Sequence, residues 1–327
     1  MNGDDTGRRF DFFTFHFALC LFPFGCEAPR DVIDCPRVRR DVLCARVVAL
    51  CRLSLQNPGR SVVRRDAPFM VTVDVEPDWG IRGCQAIRET LPRLSDLFRR
   101  RNVRATFFVV ADLLESCADL FRKAFSGHEV ASHGLTHRVL AGLREEEVAF
   151  ELAESRRRLE AAFGRRVAGF RAPFLRTPPG WFRLLKEAGY EYDSSRGAVS
   201  PSPRNAPAKS WRVTREDGIA EIPAAALRTG WIPFSLTYLR LLAPLGERLI
   251  SPCAPMIYFH LHELAEPSLA RALPWRLRLP LRRNSGAAAW PILDRTLARC
   301  ALRSVTCGEF LEESLLQHGD TESTEKH

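Results

Sequence analysis

From Pro68 onward, the chain alternates between short β-branched or apolar runs and longer segments with apolar residues at helical spacing. Runs such as FMVTVDVE and ATFFVVA predict buried strands, and EEEVAFELAESRRRLEAAFG predicts an amphipathic helix that ends at a glycine. Strands that alternate with helices favour a parallel sheet. Because the pattern repeats about seven times, we expect an α/β fold whose sheet forms a closed or nearly closed (β/α)-barrel rather than an open sheet.

The N-terminal part differs from the rest of the chain. The run RRFDFFTFHFALCLFPFGC loosely resembles a signal peptide, but Asp11 and His16 interrupt it and no small-residue cleavage site follows. It is also too short and broken for a membrane-spanning helix, and no other segment is a candidate span. We therefore expect a weakly ordered extension over residues 1–66, a functional domain over 67–316 and a disordered tail over 317–327.

The charge and the cysteine content limit the classes of binding partner and the compartment that we expect for this chain. The formal net charge is +9, but the arginine clusters fall on predicted helices, where a solvated face is a simpler explanation than attraction to an anionic partner. No basic segment has the interleaved aromatics of a nucleic-acid-binding surface, so we predict no nucleic-acid partner. The ten cysteines contain no C-x-x-C motif, which favours free thiols in a cytoplasmic protein. Peripheral contact with the inner face of a membrane and the oligomeric state stay open.

Ionisable residues recur where the predicted strands end. They are Asp74, Glu76, His133, Arg171, Asp193, His260 and His262. Because parallel barrels carry their active sites at the carboxyl ends of the strands, we expect these side chains to meet. Asp74 and Glu76 are two residues apart and point to the same side of an extended chain, where a divalent cation would relieve their repulsion. An acidic turn after the strand is the alternative.

The segment SHGLTH places His133 and His137 four residues apart. On a helical turn, both rings could reach one ion, although many such pairs bind nothing. With a carboxylate from a neighbouring strand end, the pair would form a two-histidine, one-carboxylate set that leaves positions open for water and substrate. Zinc is the first choice of metal, and other divalent ions also suit these ligands.

Other candidates have both functional and structural interpretations. Arg171 could hold a catalytic carboxylate or form a surface salt bridge. His260 and His262 share one side of a predicted strand, where either could be a general acid or a buried core histidine. Asp193 could orient a histidine, bind a sugar hydroxyl or cap a turn. Trp211 could line a sugar-binding groove, although packing in the core is the simpler role.

Six of the segments follow one another along the chain in the order TVDVEPDW, SHGLTH, RAPF, YDSS, EIP and FHLHE. In this order, they resemble the motifs of the polysaccharide deacetylase family, also called the NodB-homology family or carbohydrate esterase family four. RRNSG is similar to a segment of members linked to exopolysaccharide synthesis. The resemblance covers about Pro68 to Leu316. It implies a distorted (β/α)-barrel of about seven strands. It also implies metal-dependent removal of an N-acyl group, usually acetyl, from an amino sugar of a surface polysaccharide or its lipid-linked precursor.

The resemblance also implies a role for individual residues. Asp74 would be the base, oriented by Arg171, and the metal ligands would be Glu76, His133 and His137. The backbone N–H of Phe174 would lie at the oxyanion, and His260 or His262 would be the acid. Independently of the resemblance, we include Asp193 and Trp211 as candidate substrate contacts. Val75 stands where the family commonly has a second aspartate, so the metal carboxylate is Glu76, which we favour, or Asp74. FHLHE aligns in two ways, of which we favour His260. Hydrolysis of a non-sugar amide and glycan binding without turnover stay open.

Overall fold

The β-branched and aromatic runs form the strands of one sheet. In the computed structural model, the described residues are 67–78, 83–197, 211–227, 232–250, 255–266 and 282–322. Within these ranges the sheet contains β1 (Phe69–Val75), β2 (Ala105–Val109), β3 (Glu129–Ser132), β4 (Gly169–Phe170), β5 (Tyr192–Asp193), β6 (Thr214–Glu216), β7 (Ile219–Glu221), β8 (Met256–His260) and β9 (Ser304–Val305).

The first strand, β1, lies within the sheet and not at its edge. It pairs in parallel with β2 on one side and β8 on the other, and β9 adds a short parallel pair at its start. From β2 the order continues through β3, β4, β5 and β7 to β6, whose pairing with β7 is antiparallel. Every residue of β1 is buried, as expected of a parallel strand that is covered on both faces.

Isolated bridges extend the pairing from β7 towards β8. Ala226 bridges Pro233, and Ser235 bridges Tyr258 of β8. The strands therefore curl into a distorted, nearly closed barrel, and the predicted fold class is confirmed.

Seven α-helices lie between or after the strands of the described chain. They are α1 (Gln85–Arg101), α2 (Leu114–Ala124), α3 (Glu145–Phe163), α4 (Trp181–Glu187), α5 (Leu236–Leu242), α6 (Ala289–Cys300) and α7 (Cys307–Glu322). At the start of the long helix α3, the backbone N–H of Arg144 donates to Oε2 of Glu147 at 3.2 Å, and the helix ends at Gly164, whose φ of 62° is left-handed. Its buried face carries Val148, Leu152 and Leu159 at helical spacing.

The end of the chain differs from the expectation. Helix α7 continues to Glu322, into the segment from 317 that we expected to be disordered. Residues 323–327 and the extension predicted over 1–66 lie outside the described residues. In the described chain, no helix combines the length and the hydropathy needed to cross a membrane.

Candidate active site

The carboxyl ends of neighbouring strands bring the site together. Asp74 lies near the end of β1 and Glu76 follows that strand directly, and both are buried. The parallel register places Asp74 beside His260, the last residue of β8. His133 follows β3 and Arg171 follows β4. The side chains that the sequence places at the strand ends therefore meet at one edge of the barrel.

Among the described residues, Glu76, His133 and His137 form one group of potential metal ligands, with one atom from each lying within 4.8 Å of the others. Nε2 of His137 is 2.8 Å and Nε2 of His133 is 3.8 Å from Oε2 of Glu76. Asp74 is not a member of this group, and its Oδ1 accepts from Arg171. The arrangement therefore favours Glu76 over Asp74 as the metal carboxylate.

The chemistry of these three side chains fits a divalent transition metal. Two imidazoles and one carboxylate suit zinc and related ions. Nδ1 of His133 lies 2.7 Å from the backbone carbonyl oxygen of Arg171. Because a carbonyl can only accept, Nδ1 carries the proton and Nε2 presents its lone pair to the group. Nε2 of His137 is buried and makes no well-aligned hydrogen bond within the described chain, as expected of a ligand atom.

The two histidines do not lie on a helical turn, and this part of the prediction is wrong. The N–H of His133 donates to the carbonyl of Val109 and continues the sheet. The chain then turns back through Gly134 and His137, whose φ angles of 85° and 60° are left-handed. Glycine adopts this conformation without steric cost, whereas a histidine must be held in it. A loop, rather than helical periodicity, brings the two rings together.

Arg171 is fully buried and holds Asp74 in place. Its Nη1 donates to Oδ1 of Asp74 at 2.7 Å and to the hydroxyl of Thr72 at 3.0 Å. Its Nη2 and Nε donate to the hydroxyl and the carbonyl of Ser194. The guanidinium carbon lies 4.0 Å from the ring centroid of Phe108. These contacts support the orienting role, and Arg171 does not form a surface salt bridge.

His260 lies across from Asp74 and is anchored by Glu263. Nε2 of His260 is 3.7 Å from Oδ2 of Asp74, and its Nδ1 is 3.2 Å from Oε1 of Glu263. The same carboxylate accepts the backbone N–H of His260 at 3.1 Å and Nε of the fully buried Arg240 at 2.9 Å. An ionised carboxylate only accepts, so Nδ1 carries a proton and Nε2 faces Asp74.

The RRNSG segment contacts Arg240 and thereby supports the position of Glu263. Nη1 of Arg240 donates to the carbonyl of Arg283 at 2.7 Å, and the side-chain amide of Asn284 donates to the carbonyl of Arg240 at 2.8 Å. Asn284 and Gly286 have left-handed φ angles of 51° and 59°, which asparagine and glycine tolerate best. The segment therefore holds Arg240, which in turn holds Glu263.

His262 does not share a strand face with His260, contrary to the prediction. The strand ends at His260, and Leu261–Glu263 form a 3-10 turn that stacks the two imidazoles at a centroid distance of 5.0 Å. Nδ1 of His262 lies 3.4 Å from Oε1 of Glu76. His262 thus lies beside the metal-ligand group, and His260 lies beside Asp74, which favours His260 as the acid.

The charges in the site influence one another. Burial opposes ionisation of Glu76, but the charges of His260 and His137 outweigh it and hold its pKa well below the ordinary value. Burial also works against protonation of His260, yet Glu76, Glu263 and Asp74 raise its pKa to about 9. Burial opposes ionisation of Glu263 too, but Arg240 and His260 lower its pKa to about 2. Glu263 is therefore ionised at neutral pH, and the neighbouring carboxylates favour the protonated form of His260.

Phe174 lies at the rim of the metal-ligand group. Its ring centroid is 4.8 Å from that of His137, and the residue is 37% exposed. Phe174 and Leu175 both have left-handed φ angles, 60° and 54°. A left-handed non-glycine residue costs on the order of 1–3 kcal/mol, so the surrounding structure must hold this turn. The position supports a role for Phe174 at the site.

Asp193 is fully buried. It accepts Nε1 of Trp181 at 2.9 Å and the hydroxyl of Ser195 at 2.6 Å. The oxygen of Ser195 in turn accepts the N–H of Ala172 at 2.8 Å, just before the Phe174 turn. These contacts favour the structural alternative for Asp193, which supports the turn that carries Phe174, and its sugar contact stays a prediction.

The indole of Trp211 makes one hydrogen bond and one aromatic contact within the protein. Its Nε1 donates to the carbonyl of Pro223 at 2.6 Å, and its ring meets that of Phe310 edge-on at 5.5 Å. An aromatic side chain with its polar atom satisfied and its ring packed has a structural role. These contacts favour packing against α7, the simpler of the two roles, and the substrate contact of Trp211 stays a prediction.

Sequence reasoning missed Glu151, Arg240 and Glu263 as residues that organise the site. Glu151 lies on the buried face of α3 among apolar residues, and Arg240 lies inside the apolar helix LTYLRLL. A charged residue at an inward-facing helical position is itself a signal, because charges are rarely buried without a partner. Their partners, however, could not be identified from local spacing.

Comparisons with known proteins agree with this geometry. Residues 63–192 match the family described as Polysaccharide deacetylase. The matched range includes Asp74, Glu76, His133, His137 and Arg171, and ends before His260.

Two curated proteins are similar to part of the chain. The peptidoglycan-N-acetylglucosamine deacetylase of Bacillus cereus is 29% identical over 93 residues, which cover 28% of this chain and 32% of that protein. The peptidoglycan deacetylase of Helicobacter pylori is 29% identical over 123 residues, which cover 36% of this chain and 41% of that protein. The chain thus spans less than half the length of each relative.

A solved structure shows the same fold. A candidate polysaccharide deacetylase from Mycobacterium smegmatis superposes with a TM-score of 0.52 at 17% identity, covering 77% of this chain and 92% of that one.

Proposed function

We propose, from the premise that this chain belongs to the polysaccharide deacetylase family, that it is a metal-dependent hydrolase that removes an N-acetyl group from an amino sugar of a glycan. The observation that carries the proposal is a convergence of side chains. The Glu76, His133 and His137 group lies at the same barrel edge as the Arg171–Asp74 pair and His260.

Glu76, His133 and His137 would hold the metal, with zinc as the first choice. When bound, such an ion polarises an amide carbonyl and lowers the pKa of water. Within the chain, Oδ2 of Asp74 is the atom available to accept a proton from the attacking water, because Oδ1 is occupied by Arg171. Arg171 keeps that carboxylate in one orientation.

His260 would deliver a proton from Nε2 to the departing amine. Glu263 supports this role, because it fixes the ring through Nδ1 and helps to keep the ring protonated at neutral pH. The backbone N–H of Phe174 would donate to the oxyanion. Together, these groups would act as base, acid and oxyanion donor around one amide.

We assign the catalytic unit to residues 67–316. The B. cereus relative is named for N-acetylglucosamine in peptidoglycan, and a related fungal protein is named for chitin. N-acetylglucosamine units in a polymer or its lipid-linked precursor are therefore the substrate class that we propose. The alternative of a non-sugar amide has no comparable support.

Metal content and acetate release test the proposal together. The full chain would be measured by elemental analysis and incubated with N-acetylglucosamine oligomers, beside the His133→Ala/His137→Ala double variant. His128→Asn is a matched control, because His128 lies outside the site and its Nδ1 accepts only the N–H of Ala105. We expect about one zinc per chain and acetate release in the parent and control, and neither in the double variant.

Two results would contradict the proposal. A parent protein that binds no zinc, cobalt or nickel and releases no acetate would contradict the hypothesis of a metal-dependent hydrolase. A parent that binds metal and oligomers without releasing acetate would instead indicate a glycan-binding module without turnover.

A further inference from the structure

The loop between the two metal-binding histidines is clamped from two sides. The carbonyls of Gly134 and Leu135 accept the backbone N–H groups of Ala111 and Asp112 at 3.0 Å each. These residues follow β2, so one side of the loop is held by the end of a neighbouring strand. The N–H of Gly134 donates to the hydroxyl of Ser132 at 3.2 Å, and those of Leu135 and Thr136 need acceptors of their own.

One side chain supplies these acceptors. Oε2 of Glu151 accepts the N–H of Leu135 at 2.9 Å and that of Thr136 at 3.1 Å. Its Oε1 accepts the hydroxyl of Thr136 in a short hydrogen bond. Glu151 is only 3% exposed and projects from the middle of α3. A single carboxylate thus takes three hydrogen bonds from two consecutive loop residues.

The two histidines depend on this clamp to different degrees. His133 is fixed by the sheet through its N–H and by the Arg171 carbonyl through Nδ1. His137 comes after the clamped residues and has a left-handed φ of 60°, a conformation that a histidine keeps only when its surroundings hold it. The position of its Nε2 beside Glu76 therefore depends on how the preceding residues are held.

We propose that Glu151 is a positioning residue for the metal site, which holds the Gly134–Thr136 turn so that His137 reaches the ion together with Glu76 and His133. This inference rests on the proposed function, because it assumes that the three residues bind a metal. The role depends on the reach and the acceptor geometry of the side chain, not on its charge.

Two conservative variants separate geometry from charge. In Glu151→Gln, the amide oxygen can accept both N–H groups, and the amide nitrogen can donate to the hydroxyl oxygen of Thr136. In Glu151→Asp, the charge remains but the carboxylate is one methylene too short to reach the loop. A positioning role predicts that glutamine binds metal nearly as well as the parent and that aspartate does not. An electrostatic role predicts the reverse order.

The experiment measures Zn²⁺ and Co²⁺ affinity of the full chain by competition with a chromogenic chelator. It also records the Co²⁺ absorption spectrum, which reports ligand geometry. Glu151→Ala and Glu151→Asp are expected to lose roughly 10- to 100-fold in affinity, the usual effect of removing a residue that orients metal ligands. Leu159→Ala is the control for stability alone, since Leu159 is buried on the same helix and lies two turns further along it. Urea unfolding of the metal-free proteins gives the free energy of unfolding of each variant, so that a loss of stability can be separated from a loss of metal affinity.

The outcomes are distinct. Loss of affinity and a changed Co²⁺ spectrum in the aspartate and alanine variants, with the glutamine and Leu159→Ala variants near the parent, would support the inference. Parent-like affinity in Glu151→Asp, or a glutamine variant as weak as alanine, would overturn it while leaving the metal site intact. A parent that binds neither ion would overturn the proposed function as well.

Discussion

Replacing Glu263 by glutamine is expected to destabilise the protein strongly, although the two side chains have nearly the same shape. The carboxylate is 1% exposed and accepts from Arg240, Thr237 and the backbone of His260. Glutamine would turn one of these acceptor oxygens into a donor. It would also leave the guanidinium of Arg240, which is fully buried, without its counter-charge.

The magnitude follows from the charge of Glu263. Its pKa is lowered from an ordinary value of 4.5 to about 2. At about 1.4 kcal/mol per pKa unit, ionised Glu263 stabilises the fold by about 3 kcal/mol at neutral pH. Removing one partner of a buried ion pair typically costs about 3–5 kcal/mol, which agrees. The loss is a large part of the roughly 5–15 kcal/mol that stabilises a typical domain.

The pH dependence has a defined sign. Because the pKa is lower in the folded state than in the unfolded state, this stability is fully present above pH 4.5. It is lost as the pH falls from 4.5 towards about 2. Urea unfolding, followed by circular dichroism at several pH values, measures it directly. The parent should lose more stability than Glu263→Gln in that window.

Two further variants test the reasoning. Glu247→Gln removes a carboxylate that pairs with Arg295 at the surface, and this change should cost less than about 1 kcal/mol. Combining Arg240→Met with Glu263→Leu removes both buried charges and should recover part of the loss. The reasoning is refuted if Glu263→Gln costs no more than Glu247→Gln, or if the double variant is no more stable than Glu263→Gln.

Three other predictions follow from particular contacts. Burial and nearby arginines lower the pKa of His128 to about 4, so its contribution to stability is complete above pH 6.5 and is lost as the pH falls towards 4. From pH 7 to 5, the parent should lose on the order of 1 kcal/mol more than His128→Asn in urea unfolding, after allowance for partial exposure, and equal losses would contradict this. Gly169→Ala places a methyl group into the ring of Tyr192 and should cost about 1–3 kcal/mol, whereas Gly142→Ala, with open space around it, should be nearly neutral in the same assay. Arg171→Lys cannot reproduce the guanidinium fork and should lower kcat/KM for acetate release by roughly 100-fold, so a parent-like rate would argue against its orienting role.

The sequence predicted the barrel because its signals are local. Alternation between β-branched runs and helical periodicity is encoded within a few residues, and so is the placement of Asp74, His133, Arg171 and His260 at strand ends. A parallel barrel then brings strand ends together whatever the details of the loops. The fold class and the meeting of these residues could therefore be expected from the sequence alone.

Loop geometry was not accessible in the same way. The spacing of His133 and His137 suggested a helical turn, whereas left-handed residues make a loop. Likewise, the strand pattern extended through FHLHE, but the chain turns after His260 and separates it from His262. Short segments near a strand end are governed by tertiary contacts more than by propensity, so periodicity alone gave the wrong local geometry.

Only the tertiary structure determined which polar groups form hydrogen bonds and ion pairs with one another. Arg171 and Asp74 are 97 residues apart, and Arg240 and the Arg283 carbonyl are 43 apart. Such pairs leave no periodic signal, because burial requires each charge to find a partner but does not specify where in the chain that partner lies. For the same reason, the sequence could not show that the oxygens of Asp193 accept from Trp181 and Ser195. Residue types and strand ends follow from the sequence; the assignment of partners follows from the folded chain, since only folding brings distant polar groups out of water together.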